Sequence, residues 1–346
     1  MKDIGTLNAE LCAMDIEINE LFRRRTELTK ELSEAKQAAG SAFRTSGGES
    51  FRLYRDALRA VRGPVSSPRV VYQGTAGAYS EMACIDFFGK DVEAIGLRTF
   101  EDTFRALKKG EADYAVLPIE NSSTGAIRQV YDLLTHYECF MVGETSVFVR
   151  HVFAALQDAE LSDITTVYSH EQGLFQCEPF LSGHPDWKCV PYGDTAGSAK
   201  AVSEIGDRHI AAICSSRAAE IYGLKVLKDG VNYNADNTTR FVVVSPKIEL
   251  REGRDKICIS FTTAHESGSL YEVLRIFTVN GLNLVRLESR PVIGRNWEYM
   301  FFVEFTGDLT DPRLAHVMPE LMDATNRLRV FGNFRSNLKS EDTVSA

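Results

Sequence analysis

Arg69-Val70-Val71-Tyr72-Gln73-Gly74-Thr75-Ala76-Gly77-Ala78-Tyr79-Ser80 is the stretch on which the fold turns. Residues 69–72 form a short β-branched and aromatic run, a polar loop with two glycines follows, and a helix pattern begins at its end. Comparable runs at 114–119, 166–168 and 209–213 alternate with amphipathic stretches such as 101–109 and 196–205. Strand, loop and helix in alternation predict an α/β fold of parallel strands with crossover helices. In open sheets of this kind ligands gather at the carboxyl ends of strands. Four such ends carry polar loops: residues 74–80, Glu120-Asn121-Ser122-Ser123-Thr124-Gly125, Ser169-His170-Glu171-Gln172 and Gly193-Asp194-Thr195-Ala196. Free backbone N–H groups and hydroxyls at helix starts bind anions without metal or cofactor. For any one loop, helix capping by Ser, Thr, Asn or Asp is the simpler reading. Four together point to a ligand.

Working outward, the run Asn237-Thr238-Thr239-Arg240-Phe241 precedes the strand Val242-Val243-Val244. A guanidinium can grip a carboxylate through two parallel charge-assisted bonds, while a neighbouring hydroxyl touches a leaving oxygen. Taken alone, the run reads as a Thr opening a strand and an Arg reaching for solvent. Its company among the loops favours an anionic substrate that must lose a hydroxyl.

The chain has 346 residues, 44% apolar and 25% charged, enough for two or three domains each with a core. The N-terminus lacks a signal-type apolar stretch, and nowhere do roughly 18 uninterrupted apolar residues occur, so a cytoplasmic protein is expected, with no membrane partner. Seven cysteines stand without CxxC or Cys/His metal spacing, and read as reduced, buried small hydrophobes. A net charge of -9 speaks against a nucleic-acid partner. Neither GxxxxGK[ST] nor GxGxxG occurs, HExxH and EF-hand loops are missing, and His170 has no GxSxG elbow to serve. No metal and no cofactor are expected.

The N-terminal part is organised differently. Leu7, Leu11, Met14, Ile18, Leu21, Leu28, Leu32 and Ala35 repeat in steps of four and three, the seam of a long helix packed on another. Arg25 interrupts that seam, either to set register or to bind an anion. Residues 40–48 end the helix, a shorter one is predicted at 51–61, and Gly63-Pro64-Val65-Ser66-Ser67-Pro68 makes a linker.

Five co-linear stretches carry a family resemblance: YQGTAGAYSEMA, VLPIENSSTGAI, SHEQGLFQCEPFL, SSRAAEIYGLKVL and NTTRF. In order and spacing they resemble the prephenate dehydratase family, over residues 69–245. Residues 256–334 are predicted from pattern as strand 257–262, helix 270–279, strands 282–289 and 299–306, and helix 312–325; they resemble an ACT regulatory domain, α+β and ferredoxin-like. Gly268-Ser269-Leu270-Tyr271 and Glu288-Ser289-Arg290-Pro291 look like its two phenylalanine-sensing elements. Residues 13–36 resemble the first helix of helical chorismate mutases, which puts Arg25 and Lys36, with Glu49 further on, on substrate-binding positions. Asn8, Thr45 and Gly48 depart from that family and its long third helix is missing. The expected organisation is a truncated mutase-like α-helical segment at 1–62, a linker at 63–68, a catalytic domain at 69–246, an ACT domain at 255–335 and a tail at 336–346.

The resemblance implies a multidomain chain whose catalytic part is two-lobed, of the type 2 periplasmic-binding kind, crossing to the second lobe near Thr145 and returning near Tyr222. It implies decarboxylating dehydration of prephenate to phenylpyruvate. Thr239, Arg240 and His170 are the expected catalytic residues: Thr239 assists departure of the hydroxyl, Arg240 holds a carboxylate and His170 is a supporting donor. Thr75, Ala78, Tyr79, Ser80, Glu120, Asn121, Ser122, Ser169, Gln172, Asn237 and Phe241 are expected to bind substrate. Phenylalanine is expected as effector where ACT modules meet, with Gly268 allowing its close approach, in a homodimer or homotetramer. Mutase activity is not expected. The alternatives are a bifunctional mutase/dehydratase, an arogenate dehydratase and a non-catalytic amino-acid sensor.

Overall fold

A computed structural model describes residues 14, 24, 63–292, 298–312 and 314–337. Arg25, Lys36 and Glu49 lie outside the described residues. The chain divides into two compact units: Arg62–Glu252 with the C-terminal residues from Phe334, and a second built around Gly253–Asn333.

The first unit contains two sheets, and hence two lobes. Strands β1 (Val70–Gln73), β2 (Ala94–Leu97), β3 (Tyr114–Asn121), β5 (Phe140–Phe148) and β11 (Thr238–Ser245) make the first, with the short β4 (Gly125–Ala126) paired to β3. Its order is β2-β1-β3-β11-β5. β1 runs parallel to β2 and β3, whereas β11 is antiparallel to both its neighbours. The second sheet is ordered β10-β6-β9-β7-β8, from β6 (His151–Ala155), β7 (Thr166–Ser169), β8 (Lys188–Pro191), β9 (Ile210–Ser215) and β10 (Lys225–Asp229).

The chain crosses between lobes twice. It leaves β5 through Val149 and Arg150, and returns from β10 to β11 through residues 230–237. Both crossings fall later than expected. β5 stays in the first sheet through Phe148 because it pairs with β11 along its length, and β10 completes the second sheet against β6 before the chain returns. The two crossing segments are bonded side by side: the Val149 N–H donates to the Asn237 carbonyl at 2.7 Å, and Asn232 brackets them through Val149 and His151.

Local chemistry explains the helices that frame the cleft. α1 (Tyr79–Phe88) opens at Ala78 with no side-chain cap, which leaves its first N–H groups for other partners. α2 (Phe100–Lys109) has a capping box from Thr99 and Asp102, acidic residues in its first turn, basic ones in its last, and a left-handed Gly110 at its end. α3 (Arg128–His136) packs Val130, Tyr131 and Leu134 inward. In the second lobe, α4 (Glu171–Gln176) and α5 (Glu178–Ser182) follow β7; α6 (Thr195–Ile205) is capped by Asp194 accepting from the Gly197 N–H, and α7 (Ser216–Ile221) by Ser215. β11 is buried on both faces, with Val242, Val243 and Val244 fully so, which makes it the rigid centre of the first lobe.

The lobes meet along one side. Ser215 donates to the Gly77 carbonyl at 2.7 Å, Tyr222 to the Ala76 carbonyl at 3.1 Å, and Arg217 reaches Glu81 at 2.9 Å. Gly77 has φ +88°, and a Cβ there would stand 2.6 Å from the Ala218 Cα. Only glycine permits that approach.

The second unit runs β12 (Lys256–Thr262), α8 (Ser269–Val279), β13 (Leu284–Pro291), β14 (Tyr299–Thr306), α9 (Leu314–Ala324) and β15 (Asn326–Phe334), in the sheet order β13-β14-β12-β15. β15 follows the helix anticipated at 312–325 and was not itself anticipated. Its polar residues Asn326, Arg327 and Arg329 hide the strand period. Gly268 caps α8 at φ +89°, and a Cβ there would meet nothing within 4 Å. The backbone conformation alone accounts for this glycine.

Candidate functional site

A cleft of about 440 Å³ lies between the two lobes of the first unit. From the first lobe come Gln73, Gly74, the α1 start at Ala78, Tyr79 and Ser80, then Asn121 and, on β11, Thr239 and Phe241. The second lobe contributes His151, His170, Gln172, Gln176 and the α6 start at Asp194 and Thr195. The starts of α1 in the first lobe and of α4 and α6 in the second therefore line the same space; α1 has no side-chain cap, whereas His170 and Asp194 cap the other two. No Lys or Arg is among the lining residues.

Thr239 is 8% exposed. The Asn121 side-chain carboxamide donates to the Thr239 hydroxyl oxygen at 2.9 Å and to Asn237 Oδ1 at 2.7 Å. Its own oxygen accepts the N–H groups of Ser123 and Thr124 at 3.0 and 3.2 Å. Backbone N–H groups can meet only an acceptor, so the amide orientation is fixed and the Thr239 oxygen faces a donor. The Thr239 O–H is thereby left to donate elsewhere.

Arg240 is corrected by the structure. Successive strand residues point to opposite faces, so Thr239 and Phe241 line the cleft while Arg240 points away. Its guanidinium meets Glu144 at 2.8 Å and Glu120 at 3.4 Å on the far face of the sheet. It does not reach a carboxylate in the cleft, and Glu120 shares its side of the sheet.

Other expected site residues divide in the same way. Ala78, Tyr79, Ser80, Asn121, Gln172 and Phe241 line the cleft. Ser169 does not: it is fully buried, its hydroxyl donating to the Ile213 carbonyl at 2.8 Å to tie β7 to β9. The Ser122 hydroxyl accepts the Thr238 N–H, Asn237 is 1% exposed behind Asn121, and Thr75 is bonded to Asp194 across the cleft mouth at 2.9 Å. His170 lies at the exposed rim, where its Nδ1 accepts the Gln172 N–H and caps α4.

The histidine that sequence reading missed is His151. It is 2% exposed at the lobe crossing, with Tyr79 Oη 3.2 Å from Nδ1 and Gln176 Oε1 3.1 Å from Nε2. Burial pushes its pKa down to about 4, against favourable bonds from Gln176 and the Cys214 backbone, so the ring is neutral near pH 7. Burial likewise holds the Tyr79 phenol well above its ordinary value. Nothing local marks His151, which begins an apolar strand like any other. The Asp194 loop was noticed, but its place across from Thr75 depends on the packing of the lobes.

Two lobes, a cleft lined without Lys or Arg and one oriented hydroxyl at its wall define a candidate site for a small molecule. The prephenate dehydratase family model matches residues 70–249. The bifunctional chorismate mutase/prephenate dehydratase of Escherichia coli (strain K12) is 35% identical over 275 residues, covering 78% of this chain and 71% of that protein. Arogenate dehydratase 3, chloroplastic, of Arabidopsis thaliana is 37% identical over 294 residues, covering 80% and 69%. Among solved structures, the prephenate dehydratase from Arthrobacter aurescens in complex with L-Phe superposes with a TM-score of 0.71 at 31% identity, covering 79% of this chain and 91% of that one. The chain belongs to the prephenate dehydratase family.

Among the described residues no group of three or more His, Cys, Asp or Glu could hold a metal ion, and no helix is long and apolar enough to cross a membrane.

Proposed function

We propose that this chain converts prephenate to phenylpyruvate in the cleft between its two lobes. Prephenate carries a ring carboxylate and a hydroxyl on opposite ring carbons. Breaking the carbon–carboxylate bond sends an electron pair into the ring as carbon dioxide leaves. The opposite carbon–oxygen bond then breaks, and the departing oxygen takes one proton to leave as water. Aromaticity supplies the driving force, so the protein needs to orient the dianion and supply that proton.

The observation that carries this reading is the Thr239 hydroxyl, whose oxygen is engaged by Asn121 and whose proton can be donated into the cleft. Solvent restores the proton after turnover. The uncapped α1 N-terminus supplies N–H groups for a substrate carboxylate in place of Arg240, and neutral His151 gives the wall polarity without a fixed charge. A prephenate assay for phenylpyruvate on the purified chain tests the reading. Product formation that is abolished in Thr239→Ala supports it, and an inactive wild-type chain rejects it.

A second substrate has a specific observation in its favour. Asp194 is the carboxylate among the residues lining the cleft, and arogenate bears an ammonium where prephenate has a keto oxygen. Turnover measured on the two substrates side by side decides between them.

The second unit is read as an ACT domain because its strands and helices alternate in the ferredoxin-like order and carry the Gly268–Tyr271 and 288–291 sequences. Phenylalanine as effector and an oligomer formed through this unit belong to the same reading, supported by the phenylalanine complex of the Arthrobacter relative. The helical N-terminus is read as a truncated mutase relative without mutase activity, and the domain limits and cytoplasmic location stand as proposed above.

A further inference from the structure

The far face of β11 is tied to the C-terminal segment. After β15 ends at Phe334, the Asn337 N–H donates to Glu144 Oε1 at 2.8 Å, and the Asn337 carboxamide donates to Thr145 Oγ1 at 3.1 Å. Each bond opens a route into the cleft. The other oxygen of Glu144 receives Arg240 at 2.8 Å, and Arg240 is the strand neighbour of Thr239. Thr145 in turn donates to Asp86 on α1, the helix whose first turn lines the cleft through Tyr79 and Ser80.

We propose that Asn337 is a positioning residue for the dehydration site, holding the Thr239 strand through Glu144 and Arg240 and the α1 helix through Thr145 and Asp86. The inference rests on the proposed function for its activity readout, though not for its structural one. Glu144 is 4% exposed and Arg240 8%, so this pair is buried and loss of a partner is not made good by water. β5 is the edge strand of its sheet. Asn337 therefore bonds side chains of the strand that ends the sheet among the described residues, beside the pair β5–β11 that sets where the Thr239 hydroxyl stands. A displacement near 1 Å at such a group is enough to slow a reaction about 100-fold.

Asn337→Pro removes the N–H to Glu144 and the side-chain amide, whereas Asn337→Ala removes the amide alone. Asn337→Pro should lower kcat on prephenate about tenfold with KM changed by less than about threefold, and Asn337→Ala should lower it less. Glu144→Gln should lower kcat similarly, and the double variant Asn337→Pro/Glu144→Gln should be no slower than the slower single one, since both act on one route. Amide hydrogen exchange should rise in Thr239–Phe241 and in the first turn of α1, with β9 in the second lobe unchanged. Unaltered kcat with unaltered exchange in β11 and α1 overturns the proposal, as does a uniform rise of exchange across both lobes. If the wild-type chain leaves prephenate untouched, the functional reading fails and the exchange measurement alone decides the role of Asn337.

Discussion

Thr239 concentrates the chemistry at the residue scale. Its oxygen takes a hydrogen bond from Asn121, so its proton is available to a leaving hydroxyl, yet an alcohol is a weak acid and its value lies in placement. Thr239→Ala should lower kcat by about 100-fold or more while leaving KM within a few fold, whereas Thr239→Ser should keep most of the turnover. Steady-state kinetics with prephenate check this; equal loss in both variants would point to packing of the methyl group instead. His151 makes a separate prediction about pH. Its folded pKa is depressed to about 4 from an ordinary 6.5, so the unfolded chain binds a proton that the folded chain refuses. Above about pH 6.5 both states are neutral and the residue contributes no pH dependence. Between 6.5 and 4 stability falls as pH falls, at a limiting slope of about 1.4 kcal/mol per pH unit for one proton. Urea unfolding across that window should show the slope, and His151→Gln should flatten it.

At the scale of elements, the glycine-containing loop after β1 decides how closely the lobes approach. Gly77→Ala places a Cβ 2.6 Å from the Ala218 backbone at φ +88°, and neither side is a flexible side chain. The variant should lose about 2 kcal/mol or more of stability and open the seam made by Ser215, Arg217 and Tyr222, with chemical denaturation as the measurement. Arg240→Met tests the face assignment of β11. A residue that holds a substrate carboxylate would raise KM when truncated. A residue paired with Glu144 and Glu120 behind the strand should instead lower kcat and stability, with KM nearly unchanged.

For the whole molecule, two units imply two behaviours. Adding L-phenylalanine should change prephenate turnover together with the oligomeric state seen by light scattering, and silence in both would remove the ACT reading of the second unit. Chorismate offered alone should yield no phenylpyruvate, and product from it would show a working mutase in the chain.

The α/β character and the cleft-facing loops were legible in the sequence because strand period, glycine turns and helix caps are local. The motif at residues 237–241 was legible for the same reason, and the cleft lining includes Thr239 from it together with Asn121, Ser80 and Gln172 from the polar loops. Which face of β11 meets the cleft was not. Alternation states that Thr239 and Arg240 oppose one another, but only pairing between β3 and β5 and the position of the second lobe determine which one meets substrate. His151 and Asn337 escaped for a related reason. Each acts through partners far along the chain, His151 through Tyr79 and Gln176, and Asn337 through Glu144 and Thr145. Local pattern reports on neighbours a few residues apart; a buried neutral imidazole and a tail bonded to a distant strand exist only once packing has excluded water and brought those partners together.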